Sequence, residues 1–221
     1  MKLKLLIAAS LLTLSAVACE LPFSTSTTES DTGSEASSNI LFEDDFSDSG
    51  SGWDQSTFDE GLTDYERGAY RIFVNETSYS VWGNPSRNFS DVSVEVDALK
   101  IGGDDDNEFG IICRHANIDN FYVATISSDG YYGFLVRKDG ASLEMLNMEN
   151  MLTSDSINLG GESNHIRLDC VGNTLTLYVN GAFIGETVDD TISSGDVGLY
   201  AGTFSVPGTD ILFDNFVVSN P

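Results

Sequence analysis

Basic residues are scarce in this chain. Its 221 residues include 10 lysines and arginines against 35 aspartates and glutamates, which gives a formal net charge of −25 at pH 7. A protein with such a charge repels phosphate backbones and anionic lipid headgroups. Nucleic acid is therefore excluded as a partner of this protein.

The sequence also lacks the motifs of familiar catalytic centres. Its two histidines, His115 and His165, lie outside any H-E-x-x-H motif, and no G-x-S-x-G motif or phosphate-binding loop occurs. A Ser-His-Asp arrangement stays open at this stage, since the members of a triad come together only in the folded chain.

The one long apolar run is at the N-terminus and is too short to span a bilayer. Residues 1–18 combine two lysines, this apolar run and small residues before Cys19, as in a bacterial-type export signal. Ala18-Cys19 fits the core of a lipid-attachment site, whereas Ala16-Val17-Ala18 fits an ordinary signal peptidase. We interpret Cys19 as the lipidated residue, with simple secretion as the alternative.

A polar stretch over residues 24–39 follows the signal and has almost no apolar side chains to bury. Such a composition is typical of a flexible tether. We therefore expect a signal peptide at residues 1–18, a lipid-anchored disordered tether at 19–39 and one folded domain at 40–221. Loss of Lys2 and Lys4 with the signal would change the net charge from −25 to −27.

Beyond the tether, the pattern is that of β-strands. Apolar and polar residues alternate over short runs, and no run of ten or more residues has helical periodicity. Turn signals such as Asn180-Gly181 separate the runs. Residues 141–158 are expected to form an irregular excursion, although Met145, Met148 and Met151 have the spacing of a short helix face. The pattern predicts an all-β, two-sheet antiparallel sandwich. The clearest alternating runs are residues 69–74, 92–97, 166–170 and 174–179.

Besides Cys19, the chain contains Cys113 and Cys170. Each alternates in phase with apolar neighbours, so both side chains are expected to point into the core. In an oxidising compartment these two residues can form a disulfide, and two reduced thiols are the alternative. Metal ligation is disfavoured because no paired ligand spacing is present.

Three segments resemble the concanavalin A-like lectin/glucanase superfamily, which includes laminin G-like domains, legume lectins and laminarinase-type glycosidases. They are ILFEDDFSD with Gly52-Trp53, NTLTLYVNG at residues 173–181, and ILFDNFVV at residues 211–218. The resemblance extends over residues 40–219 and implies a jelly-roll sandwich. It leaves function open, because this fold occurs in lectins, hydrolases and spacers alike.

The resemblance to laminarinase-type glycosidases can be compared residue by residue. Those enzymes carry E-x-D-x-x-E or E-x-D-x-E on one strand, and Glu95 and Asp97 supply the first two carboxylates here. The third position is Leu99 or Lys100, so the acid/base partner is missing and the two acids are interpreted as polar-face residues. A weaker resemblance to 3-keto-glycoside hydrolase-like domains keeps a glycan-active hydrolase as an alternative, without a residue match for its catalytic positions.

The resemblance also implies a structural calcium ion between the opening and closing strands. Asp45 and Asp214 lie on these segments, and carboxylate oxygens are suitable calcium ligands. The alternative is that Asp214 only caps a turn or accepts from a backbone amide. The acidic segment 102–108 lacks the spacing of a calcium loop, so we expect a solvated hairpin tip there.

A sugar-binding surface needs aromatic rings beside polar hydrogen-bonding groups. Arg114 follows Cys113, so strand alternation would turn it to the other face of its sheet, among tyrosines. For each aromatic residue, packing in the core is the alternative. The candidate ligand-binding residues are Tyr79, Trp82, Arg114, Tyr122 and Tyr132.

These features together predict an exported, lipid-anchored protein at the cell surface or on the outer face of a bacterial membrane. Its domain is expected to bind a glycan or another extracellular ligand without catalysis, and to contact the membrane only through the lipid. The alternatives are a glycan-active hydrolase and a spacer or protein-interaction module.

Overall fold

The computed structural model describes residues 39–221. The predicted signal peptide, Cys19 and the tether up to residue 38 lie outside this range. All regular structure in residues 39–221 is β-strand, and this part of the chain has no helix able to cross a membrane.

Sixteen strands in residues 39–221 form two antiparallel sheets. The strands are Ile40–Asp44 (β1), Ser56–Phe58 (β2), Gly61–Glu66 (β3), Ala69–Val74 (β4), Ser80–Gly83 (β5), Val92–Gly102 (β6), Asn107–Asn117 (β7), Asn120–Ile126 (β8), Tyr131–Arg137 (β9), Glu144–Met145 (β10), Leu152–Thr153 (β11), Asn164–Val171 (β12), Thr174–Val179 (β13), Ala182–Val188 (β14), Asp196–Thr203 (β15) and Thr209–Ser219 (β16).

The nine-stranded sheet has the order β14-β13-β12-β6-β16-β4-β3-β2, and β1 also pairs with β16. The seven-stranded sheet has the order β10-β9-β8-β7-β15-β5, and β11 also pairs with β9. Many neighbours in these orders are distant in sequence, so the sheets close only when the whole domain is folded. The predicted all-β, two-sheet antiparallel sandwich is confirmed.

One continuous core of buried residues contains side chains from both sheets. Along β4 and β12 every second residue is buried, which is the alternation seen in the sequence. The aromatic residues Phe46, Trp53, Tyr70 and Phe216 pack together at the opening and closing strands, with the rings of Trp53 and Phe216 4.8 Å apart. This packing fixes the first loop to the sandwich.

The Asn180-Gly181 turn joins β13 and β14. Val179 pairs with Ala182, so the turn has only two residues, and both have positive φ values of 52° and 80°. This is the conformation that favours asparagine and glycine in two-residue hairpins. Residues 141–158 form the expected irregular excursion, interrupted only by the short strands β10 and β11.

Cys113 and Cys170 form a disulfide in the core, which confirms the predicted bond. Cys113 lies on β7 in the seven-stranded sheet and Cys170 on β12 in the nine-stranded sheet. The bond therefore joins the two layers of the sandwich covalently.

Loss of this bond should lower the free energy of unfolding by about 4 kcal/mol, because a crosslink between residues 57 apart restricts the unfolded chain. Urea unfolding with and without dithiothreitol measures the difference. The Cys113→Ala/Cys170→Ala variant is the control, and its midpoint should not respond to the reductant. An equal midpoint for the oxidised and reduced native protein would contradict this prediction.

Candidate ligand-binding groove

An open groove of about 730 Å³ crosses the outer face of the seven-stranded sheet. The edge strand β5 and the adjoining Tyr79 form one side, and residues 140–151 form the other. Glu108 on β7, Tyr200 on β15 and Leu135 on β9 lie between these sides. The groove therefore extends across most of the width of this sheet.

A second apolar cluster lies beside the groove, on the face of the sheet that points away from the main core. Strands β7, β8 and β9 have long runs of buried residues instead of alternating ones, as expected where both faces of a sheet are covered. The excursion after β9 supplies the cover through Leu143 and Met145. The fully or nearly buried members of this cluster are Ile112, Phe121, Val123, Leu135 and Tyr200.

Two of the predicted ligand-binding residues line the groove. Tyr79 keeps 38% of its surface exposed, and Trp82 is half-buried, with its ring 5.2 Å from that of Phe121. The Trp82 ring therefore packs on Phe121, whereas Tyr79 lies at the rim with part of its surface exposed. Together they provide aromatic surface along one side of the groove.

Glu108 provides a carboxyl group in the groove. It lies on β7 with only 9% of its surface exposed, and burial raises the pKa of this carboxyl above its usual value. The sequence placed Glu108 at a solvated hairpin tip. In the structure the tip ends at Asp106, β7 begins at Asn107, and the exposed acids are Asp104, Asp105 and Asp106.

Arg114 lies away from the groove. Its side chain is 2% exposed, and its guanidinium donates to the carbonyls of Ile192 at 3.0 Å and Gly172 at 2.7 Å. Strand alternation fails here because Arg114 has a φ of 52° and the pairing of β7 with β8 shifts after Cys113. The expected position on the outer face is therefore not observed.

Tyr122 and Tyr132 both belong to the main core. The Tyr122 hydroxyl donates to the Asp189 carboxylate and accepts from the amide of Ile192, while burial and this carboxylate raise its pKa to about 12. The Tyr132 ring packs so closely on Gly185 that a Cβ there would lie 2.6 Å from it. Neither residue lines the groove, and a ligand-binding role for them, as for Arg114, stays a prediction.

The opening and closing strands are paired, as the family resemblance implies, with Asp44 opposite Phe216. Asp45 accepts from the amide and hydroxyl of Ser47, and Asp214 accepts from the amide of Asn215 at 2.7 Å. Within residues 39–221 no group of three or more His, Cys, Asp or Glu side chains has the arrangement of a metal site. Calcium binding by Asp45 and Asp214 stays a prediction.

The outer face of the nine-stranded sheet carries a different group of polar residues. His165 on β12 lies between the two acids of β6, with Nδ1 2.8 Å from Asp97 and Nε2 3.1 Å from Glu95. Asn215 also donates to Asp97 at 2.9 Å. Glu95 and Asp97 thus form an ion-pair network on the surface of this sheet.

No protein-family model and none of the curated proteins matches the chain. Solved structures do match it. A carbohydrate-binding module of family 66 from Bacillus subtilis has a TM-score of 0.61 and 16% identity, over 77% of this chain and 96% of the module. A Bacillus subtilis protein with a galectin-like fold has a TM-score of 0.57 and 11% identity, over 82% of this chain and 96% of that protein. A sialidase has a TM-score of 0.57 and 12% identity, over 83% of this chain and 19% of the enzyme.

At these identities the similarity establishes the fold. The domain is an all-β, two-sheet jelly-roll sandwich, in agreement with the fold that the sequence resemblance implied.

The pKa values of the two histidines, His115 and His165, should lie on opposite sides of the usual 6.5. Burial lowers the pKa of His115. Burial also acts against protonation of His165, but hydrogen bonds to Asp97 and Glu95 outweigh it and raise the pKa of His165. Protonated His165 therefore stabilises the fold; this contribution is complete below pH 6.5 and is lost as pH rises through the folded-state pKa.

Proton NMR titration of the two imidazole rings tests this prediction, with His165→Gln to assign the signals. The His165→Gln variant should lose more stability relative to the native protein at pH 5.5 than at pH 9. A midpoint for His165 below that of His115 would show that the ion-pair network does not form in solution.

Proposed function

We propose that this chain is an exported, lipid-anchored protein whose jelly-roll domain binds a carbohydrate, without catalysis, in the groove on the seven-stranded sheet. The observation that carries the proposal is the composition of the groove. Tyr79 and Trp82 offer aromatic surface beside the carboxyl of Glu108 and the hydroxyl of Ser80. Sugars have apolar C–H faces and polar hydroxyl groups, so they suit a site of this mixed kind.

The charge of the protein favours a neutral glycan as ligand. The ionisable side chains around the groove include one basic residue, Arg137, and two acidic residues, Glu108 and Glu149. The chain as a whole has a net charge of −25. A polyanionic polysaccharide would therefore be repelled by the long-range field of the protein.

The fold agrees with this proposal but does not by itself decide it. One similar structure is a carbohydrate-binding module and another is part of a sialidase. The same sandwich is used for binding and for catalysis, so the assignment depends on the groove.

A glycan-active hydrolase is the second candidate, because two carboxyl groups line one groove. Glycosidases place a pair of acids on either side of the scissile bond, and a raised pKa is typical of the acid partner. Glu108 has such a raised pKa, and Glu149 lies on residues 140–151. Release of new reducing ends from a bound polysaccharide would favour this candidate over simple binding.

The binding proposal predicts that Tyr79→Ala weakens affinity for a neutral polysaccharide about two- to twelvefold, since one aromatic contact contributes about 0.5–1.5 kcal/mol. Tyr131→Ala is a matched control, because Tyr131 is 40% exposed on the same sheet but lies outside the groove.

A panel of neutral and acidic polysaccharides, with and without calcium, identifies the ligand, and calorimetry then compares the two variants. Equal losses for Tyr79→Ala and Tyr131→Ala would contradict the groove as the site. No binding to any polysaccharide would leave a spacer or a protein-interaction module as the function.

Lipid attachment at Cys19 is supported by Ala18-Cys19 at the end of the signal and by the polar stretch that follows. The disulfide agrees with a location outside the cytoplasm, where oxidising conditions allow such bonds. We therefore place the domain at the surface of a bacterial membrane, on a tether that lets the groove reach extracellular glycans.

Expression of the full chain in bacteria with labelled palmitate should give a labelled protein that partitions into a detergent phase. The Cys19→Ser variant should carry no label and stay in the aqueous phase. Mass spectrometry of the native protein can contradict this prediction. An unmodified N-terminal Cys19 would show simple secretion instead of lipid attachment.

A further inference from the structure

Glu108 occupies an unusual position for an acidic residue. It lies on β7 directly opposite Gly202 of β15, which in turn lies opposite Ser80 of β5. The next row on the same face is Gly110, Tyr200 and Trp82. Because Gly202 has no side chain, the Glu108 carboxyl can lie over β15 and meet the hydroxyl of Tyr200.

A chain of hydrogen bonds fixes one oxygen of this carboxyl. The Tyr200 hydroxyl donates to Oε1 of Glu108. Tyr200 has only one proton to donate, so Ser80 Oγ, 2.7 Å away, donates to the Tyr200 oxygen. Within residues 39–221 no hydrogen bond is made to Oε2, although Glu108 lines the groove. Oε2 is therefore the oxygen available to a ligand.

No cationic side chain in residues 39–221 balances this carboxyl. Among the described residues Glu108 has no ion pair. The only basic residue of the groove, Arg137 on β9, has its ion contact with Asp119, at 4.0 Å. A carboxylate that is buried without a counter-charge is costly, and such groups take up a proton instead.

The other ionisable groups around the groove do not change this conclusion. They are Tyr79 beside β5, Tyr200 on β15, Arg137 on β9 and Glu149 on residues 140–151. The hydrogen bond from Tyr200 favours the ionised form of Glu108, but burial outweighs it. Burial raises the pKa of Glu108, in agreement with the geometry.

We propose that Glu108 binds the ligand as a neutral carboxylic acid, with its proton on Oε2 donated to an oxygen atom of a neutral sugar. This inference rests on the proposed function and adds to it the chemistry of the site. The ligand must present a hydrogen-bond acceptor to Glu108, while the rings of Tyr79 and Trp82 contact its apolar face.

The affinity for the ligand should therefore fall as pH rises. Below the pKa of Glu108 the carboxyl is a donor, and binding is strongest. As pH rises through this pKa, the donor is lost and an unpaired buried anion faces the sugar oxygen, so affinity falls.

Two isosteric variants separate Glu108 from the other acid of the groove. Calorimetry with the neutral polysaccharide found by the panel, from pH 5 to pH 9, compares the native protein with Glu108→Gln and Glu149→Gln. The native protein and Glu149→Gln should both lose affinity about tenfold or more towards high pH. Glu108→Gln should bind at every pH about as well as the native protein at pH 5, because its amide is a permanent donor.

A native affinity that is constant with pH would overturn the inference but not the proposed function. Loss of binding at all pH values in Glu108→Gln would also overturn it, since it would show that a carboxylate is required. If the native protein binds no polysaccharide even at pH 5, the proposed function itself is wrong.

Gly202→Ala provides a second test that leaves Glu108 in the sequence. A Cβ at position 202 would lie 2.5 Å from Oε1 of Glu108, so the carboxyl must move away from Tyr200. Binding at pH 5 should therefore weaken about tenfold. Unchanged binding in this variant would count against the proposal, because the position of the carboxyl would then not matter.

Discussion

The sandwich depends on a single apolar layer between its two sheets. Inward-facing residues of both sheets form one continuous cluster, and the Cys113–Cys170 bond lies within it. A slip of one residue in an alternating strand such as β4 or β12 would turn its apolar side chains to the solvent, so the layer also fixes the register of these strands. The positions of all outward-facing groups follow from that register.

The two outer faces of the sandwich differ in the residues that they carry and in how these are covered. On the nine-stranded sheet, charged residues such as Glu95, His165 and Asp97 form ion pairs at the surface. On the seven-stranded sheet, apolar residues of β7 to β9 need a cover, and the excursion after β9 provides it with Leu143 and Met145. This cover leaves part of the sheet open, and the groove is the result. The need to bury a second apolar surface therefore determines where the groove lies.

Local and periodic features of the structure could be predicted from the sequence. Residues 69–74 and 174–179 alternate clearly and form β4 and β13 with those bounds, and Asn180-Gly181 forms the expected turn. The bond between Cys113 and Cys170 could be predicted because both residues alternate in phase with apolar neighbours. Tyr79 and Trp82, which are candidates because of their aromatic rings, line the groove.

Features that depend on irregular backbone or on distant strands could not be predicted. The positive φ of Arg114 interrupts the alternation that was used to orient it. Tyr122 lies on β8, where both faces are buried, so alternation does not show that its ring faces the main core, and its hydroxyl partner Asp189 is 67 residues away in sequence. Glu108 was grouped with the acids of the hairpin tip because the point where the turn ends and β7 begins is not visible in an acidic run.

Because of the position of Glu108, the groove has a different chemistry from the strongly acidic protein as a whole. The acids of the hairpin tip are exposed to solvent, where an ionised carboxylate costs little. Glu108 follows them on β7, where it lies over Gly202 in a buried row and has no ion pair with any described residue. A strongly acidic protein can therefore offer a neutral donor in its groove, because burial, and not composition, decides the protonation of a single side chain. Recognition by such a group acts at short range and selects a ligand by its acceptor atoms.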